Sequence, residues 1–190
     1  MSKKQIYKYK DYVDIEGILI SKEQGYRYSL FIPFKEARNN KYVIVIMKNP
    51  SEANKTISDK SINNVLNFCY NKYDGVYIAN LYPYCTSNPN NLKYFIELES
   101  YGEKMKKNLQ VLDTLLKKTD EVIVAWGTSS KGKKCEQSYK SITKILSDKL
   151  SETKKKVYAM RFISSKNPWH PRNWEEGFNL ELYELKKIVR

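Results

Sequence analysis

Asn49, Asn80 and His170 are the side chains best placed by the sequence to do chemistry, and each stands where an apolar run ends. Asn49 follows Tyr42–Met47 within YVIVIMKNPS, Asn80 lies in VYIANLY ahead of Pro83, and His170 sits in SSKNPWHPRN. A further run, EVIVAW, is closed by Gly127. The inventory is polar amides, one imidazole, the backbone of Gly127 and many aromatics. An amide both accepts and donates without ionising. That set suits reading a planar heterocycle better than hydrolysing an ester. The chain shows no Gly-rich phosphate loop and no Ser/His/Asp or Cys/His motif in recognisable context. A plainer reading stands beside each residue: Asn49-Pro50-Ser51 as a turn, Asn80 as a strand-end amide, His170 as a structural imidazole.

Bringing these residues together requires strands. The β-branched run Tyr42–Met47 reads as a strand buried on both faces, and Pro50 stops it. Before it, residues 26–34 (YRYSLFIPF) alternate and read as an edge strand, with Pro33 limiting its pairing. Ser58 reads as a helix N-cap with Asp59 in the first turn, and Ile62, Val65, Leu66, Cys69, Tyr70 and Tyr73 follow as an apolar stripe. Residues 76–82 are a second strand and 85–93 a loop of turn formers. A helix over 100–118 turns Met105, Leu109, Leu112, Leu115 and Leu116 to one face. Residues 121–126 are a third strand, 129–134 a basic loop, and the next helix points Tyr139, Ile142, Ile145 and Leu146 inward. A fourth strand is predicted over 157–163, and a last helix over 174–189 packs Phe178, Leu182, Leu185 and Ile188. This alternation predicts an α/β fold, a three-layer α/β/α sandwich with a parallel-rich central sheet. The whole chain, 1–190, reads as one domain, with 1–41 an N-terminal extension and edge strand and 42–190 the core. In such a sheet the strand ends bearing Asn49, Asn80, Gly127 and His170 share one edge.

Thirty-four basic residues against 21 acidic ones give a net charge of +13, which points to a polyanionic partner, DNA by default. Solubility alone accounts for part of that charge, since most of it is Lys. Sixteen tyrosines offer aromatic surface for stacking or for core. Three separated cysteines and one histidine suggest neither a disulfide framework nor a metal site, and no cofactor is expected. No run reaches the ~20 apolar residues of a membrane span, and the polar N-terminus carries no signal-peptide core. A cytoplasmic monomer is expected, drawn to the nucleoid by DNA.

The order of motifs over residues 42–188 resembles the uracil-DNA-glycosylase superfamily. Met47-Lys48-Asn49-Pro50-Ser51 resembles the first motif of its mismatch-specific branch. GVYIANLY resembles the strand whose asparagine reads a flipped base, here Asn80. VIVAWG resembles the third strand, and His170-Pro171 falls where those enzymes carry a His-Pro motif. The chain is also similar to a group of uncharacterised bacterial proteins sharing Tyr26-Arg27-Tyr28, Asn49-Pro50-Ser51, Asp59-Lys60-Ser61, Trp126-Gly127 and His170-Pro171 elements.

The resemblance implies a monofunctional DNA glycosylase that flips a base, hydrolyses its N-glycosidic bond without a metal and leaves an abasic site. Asn49 would position the water, in a place where classical members carry aspartate. Asp59 would act as general base or stabilising charge, or else simply favour the helix start. Asn80 would bind the base edge, and His170 would donate to a base oxygen as charge builds. Pro50, Ser51 and Gly127 would line the pocket, with Tyr82 or Tyr84 stacking on the base. Trp169, Arg172 and Trp174 would contact the duplex or fill the gap left by flipping, beside Lys131, Lys133, Lys134 and Lys166. Ser51 replaces the tyrosine that excludes C5 substituents in classical members. The expected target is therefore a C5-modified pyrimidine, and the expected role defence against modified bacteriophage DNA. Two other readings stay open: a non-catalytic nucleic-acid-binding module, and a small-molecule nucleoside or nucleotide enzyme.

Overall fold

The computed structural model describes residues 7–37, 39–161, 167–175 and 177–185. Its centre is β3 (Tyr42–Met47), in which Val43, Ile44, Val45 and Ile46 are completely buried. Removing each such side chain from water is worth about 1.5–3 kcal/mol, so this strand anchors both faces of the sheet. It pairs in parallel with β4 (Gly75–Asn80) on one side and β5 (Glu121–Val124) on the other. β6 (Lys156–Ala159) extends the parallel set beyond β5. β2 (Tyr26–Pro33) and β1 (Leu19–Glu23) add antiparallel strands outside β4, and β7 (Glu181–Leu182) pairs antiparallel with β6. The sheet has seven strands in the order β1-β2-β4-β3-β5-β6-β7.

Alternation along β3 divides the interior. Val43, Val45 and Met47 join the core under α1 (Lys60–Cys69), with Ile62, Val65, Leu66 and Cys69. Ile44 and Ile46 join the opposite core with α2 (Leu92–Ile96), α3 (Tyr101–Leu116) and α4 (Lys133–Ser151). The protein is thus α/β, a mixed, parallel-rich sheet with helices on both faces. From β3 the chain crosses to β4, then passes back over β3 to β5, which makes the carboxyl end of β3 a topological switch point. Among the described residues no helix is long and apolar enough to cross a membrane.

Several expectations are corrected. Residues 26–34 are not an edge strand, because the polar segment 19–23 pairs outside them. Polar composition is what an edge exposed to water favours, so it hid a strand. The α1 N-cap is Asp59, one residue later than expected, and its Oδ1 accepts from Ile62 N at 2.8 Å. Ser58 N instead donates to Tyr7 O, in a bridge to the N-terminal segment. Ile145 is 44% exposed and not inward. The segment 85–93 holds a 3-10 turn at Pro89–Asn91 and the start of α2. No α-helix forms over the described part of 174–189: Gly177 takes φ +86, β7 follows, and only Leu185, the last described residue, is in a 3-10 conformation. The apolar spacing there matches a helix by coincidence, since Leu182 is 69% exposed in β7. The expected helix positions 186–189, and 162–163 of the expected fourth strand, lie outside the described residues.

Candidate strand-end site

Two backbone bonds continue the β3–β4 ladder past the strands, Leu81 N to Met47 O (2.8 Å) and Tyr82 N to Lys48 O (3.0 Å). They fix the exit of β3, so that Asn49 leaves the sheet facing the 83–86 loop. Its Nδ2 donates to Thr86 O at 2.7 Å and to Pro50 O at 3.0 Å, while Thr86 N donates to Pro50 O at 2.9 Å. The amide hydrogens of Asn49 hold the loops, which leaves Oδ1 as its acceptor for a ligand or water. Pro50 is buried and Ser51 half-buried. The Ser51 hydroxyl donates to Asp59 Oδ2, so both carboxylate oxygens of Asp59 are engaged. Asp59→Ala is expected to cost about 1 kcal/mol of stability as a lost cap, seen as a lower urea midpoint with an unchanged slope.

At the end of β5, Gly127 adopts φ +68, and a Cβ placed there would lie 3.4 Å from His170 Cβ. Gly127 N donates to Pro168 O at 3.0 Å, and its carbonyl accepts from Tyr139 Oη at 2.5 Å. A left-handed glycine thus lets the 167–173 loop close directly on the strand end. From the other side, Asn64 Nδ2 on α1 donates to Pro171 O at 2.8 Å. His170 caps the 3-10 turn Pro171–Asn173, and its Nδ1 accepts from Arg172 N at 3.3 Å. The neutral ring therefore carries its proton on Nε2, available to a ligand.

Burial pushes the His170 imidazole down from 6.5 to about 4; Lys48 and Arg172 add to this and Asp59 opposes it. Burial also lowers Lys48, which stands beside Asn49 and which no sequence pattern marks as a site residue. Because the folded imidazole titrates below its unfolded value, the unfolded chain binds the extra proton between about pH 6.5 and 4. Stability is expected to fall as pH drops through that window and to be less pH-sensitive in His170→Gln. As His170 is the only histidine, its proton NMR titration reads the midpoint directly; a midpoint near 6.5 would contradict the placement.

Asn80 closes β4 at 1% exposure, and among the described residues neither Oδ1 nor Nδ2 has a hydrogen-bond partner. Its backbone is held by Asn108 of α3, whose Nδ2 donates to Asn80 O at 2.9 Å. A buried amide left without bonds costs about 1–3 kcal/mol, so its retention points to a ligand. Arg27, at the start of β2, is the second such group. Antiparallel β2 begins at the edge where the parallel strands end, and Arg27 N donates to Pro83 O at 2.9 Å. Arg27 is 2% exposed, and among the described residues its Nε and Nη2 have no hydrogen-bond partner.

The remaining residues divide. Tyr82, expected to stack on the base, is buried in the α4-side core, its hydroxyl 3.1 Å from Ser138 Oγ, whereas the strand residues in phase with Asn80 face the α1-side core. The Tyr84 ring is stacked on Phe95 of α2, with centroids 5.4 Å apart. Trp174, expected at the duplex, is buried, with Nε1 donating to Trp169 O at 3.2 Å and its ring against Phe68, so it braces the loop. Trp169 is half-buried beneath Arg161, and Arg172 is exposed. Lys131 and Lys133 are exposed at the start of α4, whereas Lys134 pairs with Glu97 at 2.7 Å. Lys166 lies outside the described residues. A cavity of about 400 Å³ lies along α1, lined by Asn67, Phe68, Asn71, Lys72, Trp174 and Phe178 among others, and the strand-end amides do not border it.

Together these features define a parallel-rich α/β domain with amides, an imidazole and a buried arginine gathered at the carboxyl edge of its sheet. A family model described as "Protein of unknown function (DUF1643)" matches residues 27–172, and the chain belongs to that family. The matched span runs from the buried Arg27 to the loop that holds His170. No curated protein and no solved structure matches the chain.

Proposed function

We propose that the protein is a uracil-DNA-glycosylase-like enzyme that flips and excises a nucleobase from DNA by hydrolysing its N-glycosidic bond. The observation that carries this reading is the unpartnered amide of Asn80, buried on the edge that Asn49 and His170 share. Such an amide is made to take a ligand with donors and acceptors on one edge, as a nucleobase has. In this mechanism Asn49 Oδ1 accepts from the attacking water, which adds to the anomeric carbon as the C1′–N bond breaks. The bond's electron pair departs on the base, and the water's proton ends there. The neutral His170 donates from Nε2 to the base oxygen where charge gathers, an interaction that strengthens in the transition state. The small Ser51 side chain supports a C5-modified pyrimidine as target, and excision of such bases fits defence against modified bacteriophage DNA.

DNA binding is supported by the net charge of +13. It is expected to weaken steeply with salt, with a log–log slope of about −0.9 for each phosphate neutralised on duplex. A flat salt response would remove the argument from charge. One observation favours a second reading, a module that binds nucleic acid without cleaving it. Each oxygen of Asp59 already accepts one hydrogen bond, from Ser51 and from Ile62 N, which commits the carboxylate to the helix cap and weakens it as a base toward water. Incubation with DNAs carrying varied bases, followed by alkali, separates the two. Strand breaks at the modified base support excision, and salt-sensitive binding without breaks supports the module.

A further inference from the structure

Arg27 reaches the site through an irregularity in β2. Ser21 pairs with Ser29 but Lys22 pairs with Arg27, so Tyr28 is an extra residue, a β-bulge. Bulges re-aim side chains. Here Arg27 turns to the α1 side, where Nη1 donates to Ala53 O at 2.6 Å. Asn80 lies on the same face of the adjacent strand β4, in phase with Val76 and Ile78 of the α1-side core. Two neighbouring strands thus carry two buried polar side chains, and neither Nε and Nη2 of Arg27 nor the amide of Asn80 has a partner. Nε and Nη2 lie along one edge of the planar guanidinium, the edge that takes two adjacent acceptors at once. Arginine cannot shed its proton, and a buried unpaired charge is costly, so this edge calls for an acceptor-rich ligand.

We propose that Arg27 and Asn80 are the base-reading pair, selecting a cytosine-type edge over a uracil-type edge; this rests on the nucleobase-excision reading. Cytosine offers O2 and N3 as adjacent acceptors, which the arginine edge can engage together, and its 4-amino group donates to Asn80 Oδ1. In uracil N3 bears hydrogen, so either adjacent pair sets a donor against an arginine N–H. Arginine stays charged and cannot rearrange to suit it. The electron pair released from the glycosidic bond spreads onto O2, and Arg27 stabilises it there. The contact to Ala53 O ties Arg27 to the 50–57 loop.

Equilibrium binding of free cytosine, 5-hydroxymethylcytosine, uracil and inorganic phosphate to the full chain, followed by saturation-transfer NMR, tests the pair without requiring catalysis. Both cytosines are expected to bind at least about tenfold more tightly than uracil, the discrimination typical of a bidentate contact. Arg27→Lys, which keeps the charge without the fork, is expected to stay folded by circular dichroism and lose the preference. Equal or tighter uracil binding, binding of phosphate alone, no base binding, or an unchanged preference in a folded Arg27→Lys would each overturn the proposal. Cytosine binding by a chain that cleaves no DNA would sink the excision reading and leave this inference standing. Excision confined to uracil would do the reverse.

Discussion

Asn49→Ala and His170→Ala are each expected to lower single-turnover base release by about 10²-fold or more while the chain stays folded. Both residues sit beyond strand ends and belong to neither hydrophobic core. Asn49→Ala removes the Oδ1 acceptor at the exit of β3 and also the donor to Thr86 O, while Pro50 O keeps its bond from Thr86 N. Some loosening of the 83–86 loop should therefore raise KM as well. His170→Ala removes a donor that acts only as charge builds, so its effect should fall on the chemical step with KM little changed. Because the ring is neutral down to about pH 4, wild-type base release should not track an imidazole titration near pH 6.5. Near-normal rates in both variants would reject the assignment of the site.

Asn80→Leu is expected to do two opposite things. It should abolish base release, because the edge-reading amide is gone, and it should stabilise the fold. Asn80 is 1% exposed with both amide atoms unpartnered. Replacing that group by an apolar one of similar size recovers a desolvation cost of about 1–3 kcal/mol. A higher unfolding midpoint with lost activity is the mark of a residue kept for function at the expense of stability. A lower midpoint would mean that the amide is satisfied in the folded protein and serves structure.

What could be read from the chain follows physical lines. β3 was legible because six apolar residues ended by Asn-Pro admit few readings, and the shared edge then followed from parallel connectivity. Helices α1, α3 and α4 were legible from their stripes, though Ile145 shows that a stripe can include an exposed residue. β1 was hidden because an edge strand at the surface has no periodic apolar face to display. The final segment imitates a helix in sequence because Phe178, Leu182 and Leu185 keep helical spacing while Gly177 breaks the backbone. Arg27 could be quoted as a motif but not placed, since its direction depends on a bulge that only the pairing of β1 with β2 reveals. The types of Tyr82 and Trp174 do not say which way their rings point; the packing against Ser138 and Phe68 does. Lys48 carries no pattern at all; its relevance comes from burial beside the imidazole.

The most direct test of the central claim is to identify the released product. Duplexes matched except for one position, bearing uracil, cytosine, 5-hydroxymethylcytosine or its glucosylated form, are incubated with the wild-type chain and with the Asn49→Ala/His170→Ala double variant. Free base is then identified and quantified by mass spectrometry. The account predicts a free modified cytosine in equal amount to abasic sites from the wild type, with little or none from the double variant. Binding of every duplex with no free base from any of them, or equal release by the double variant, would contradict it.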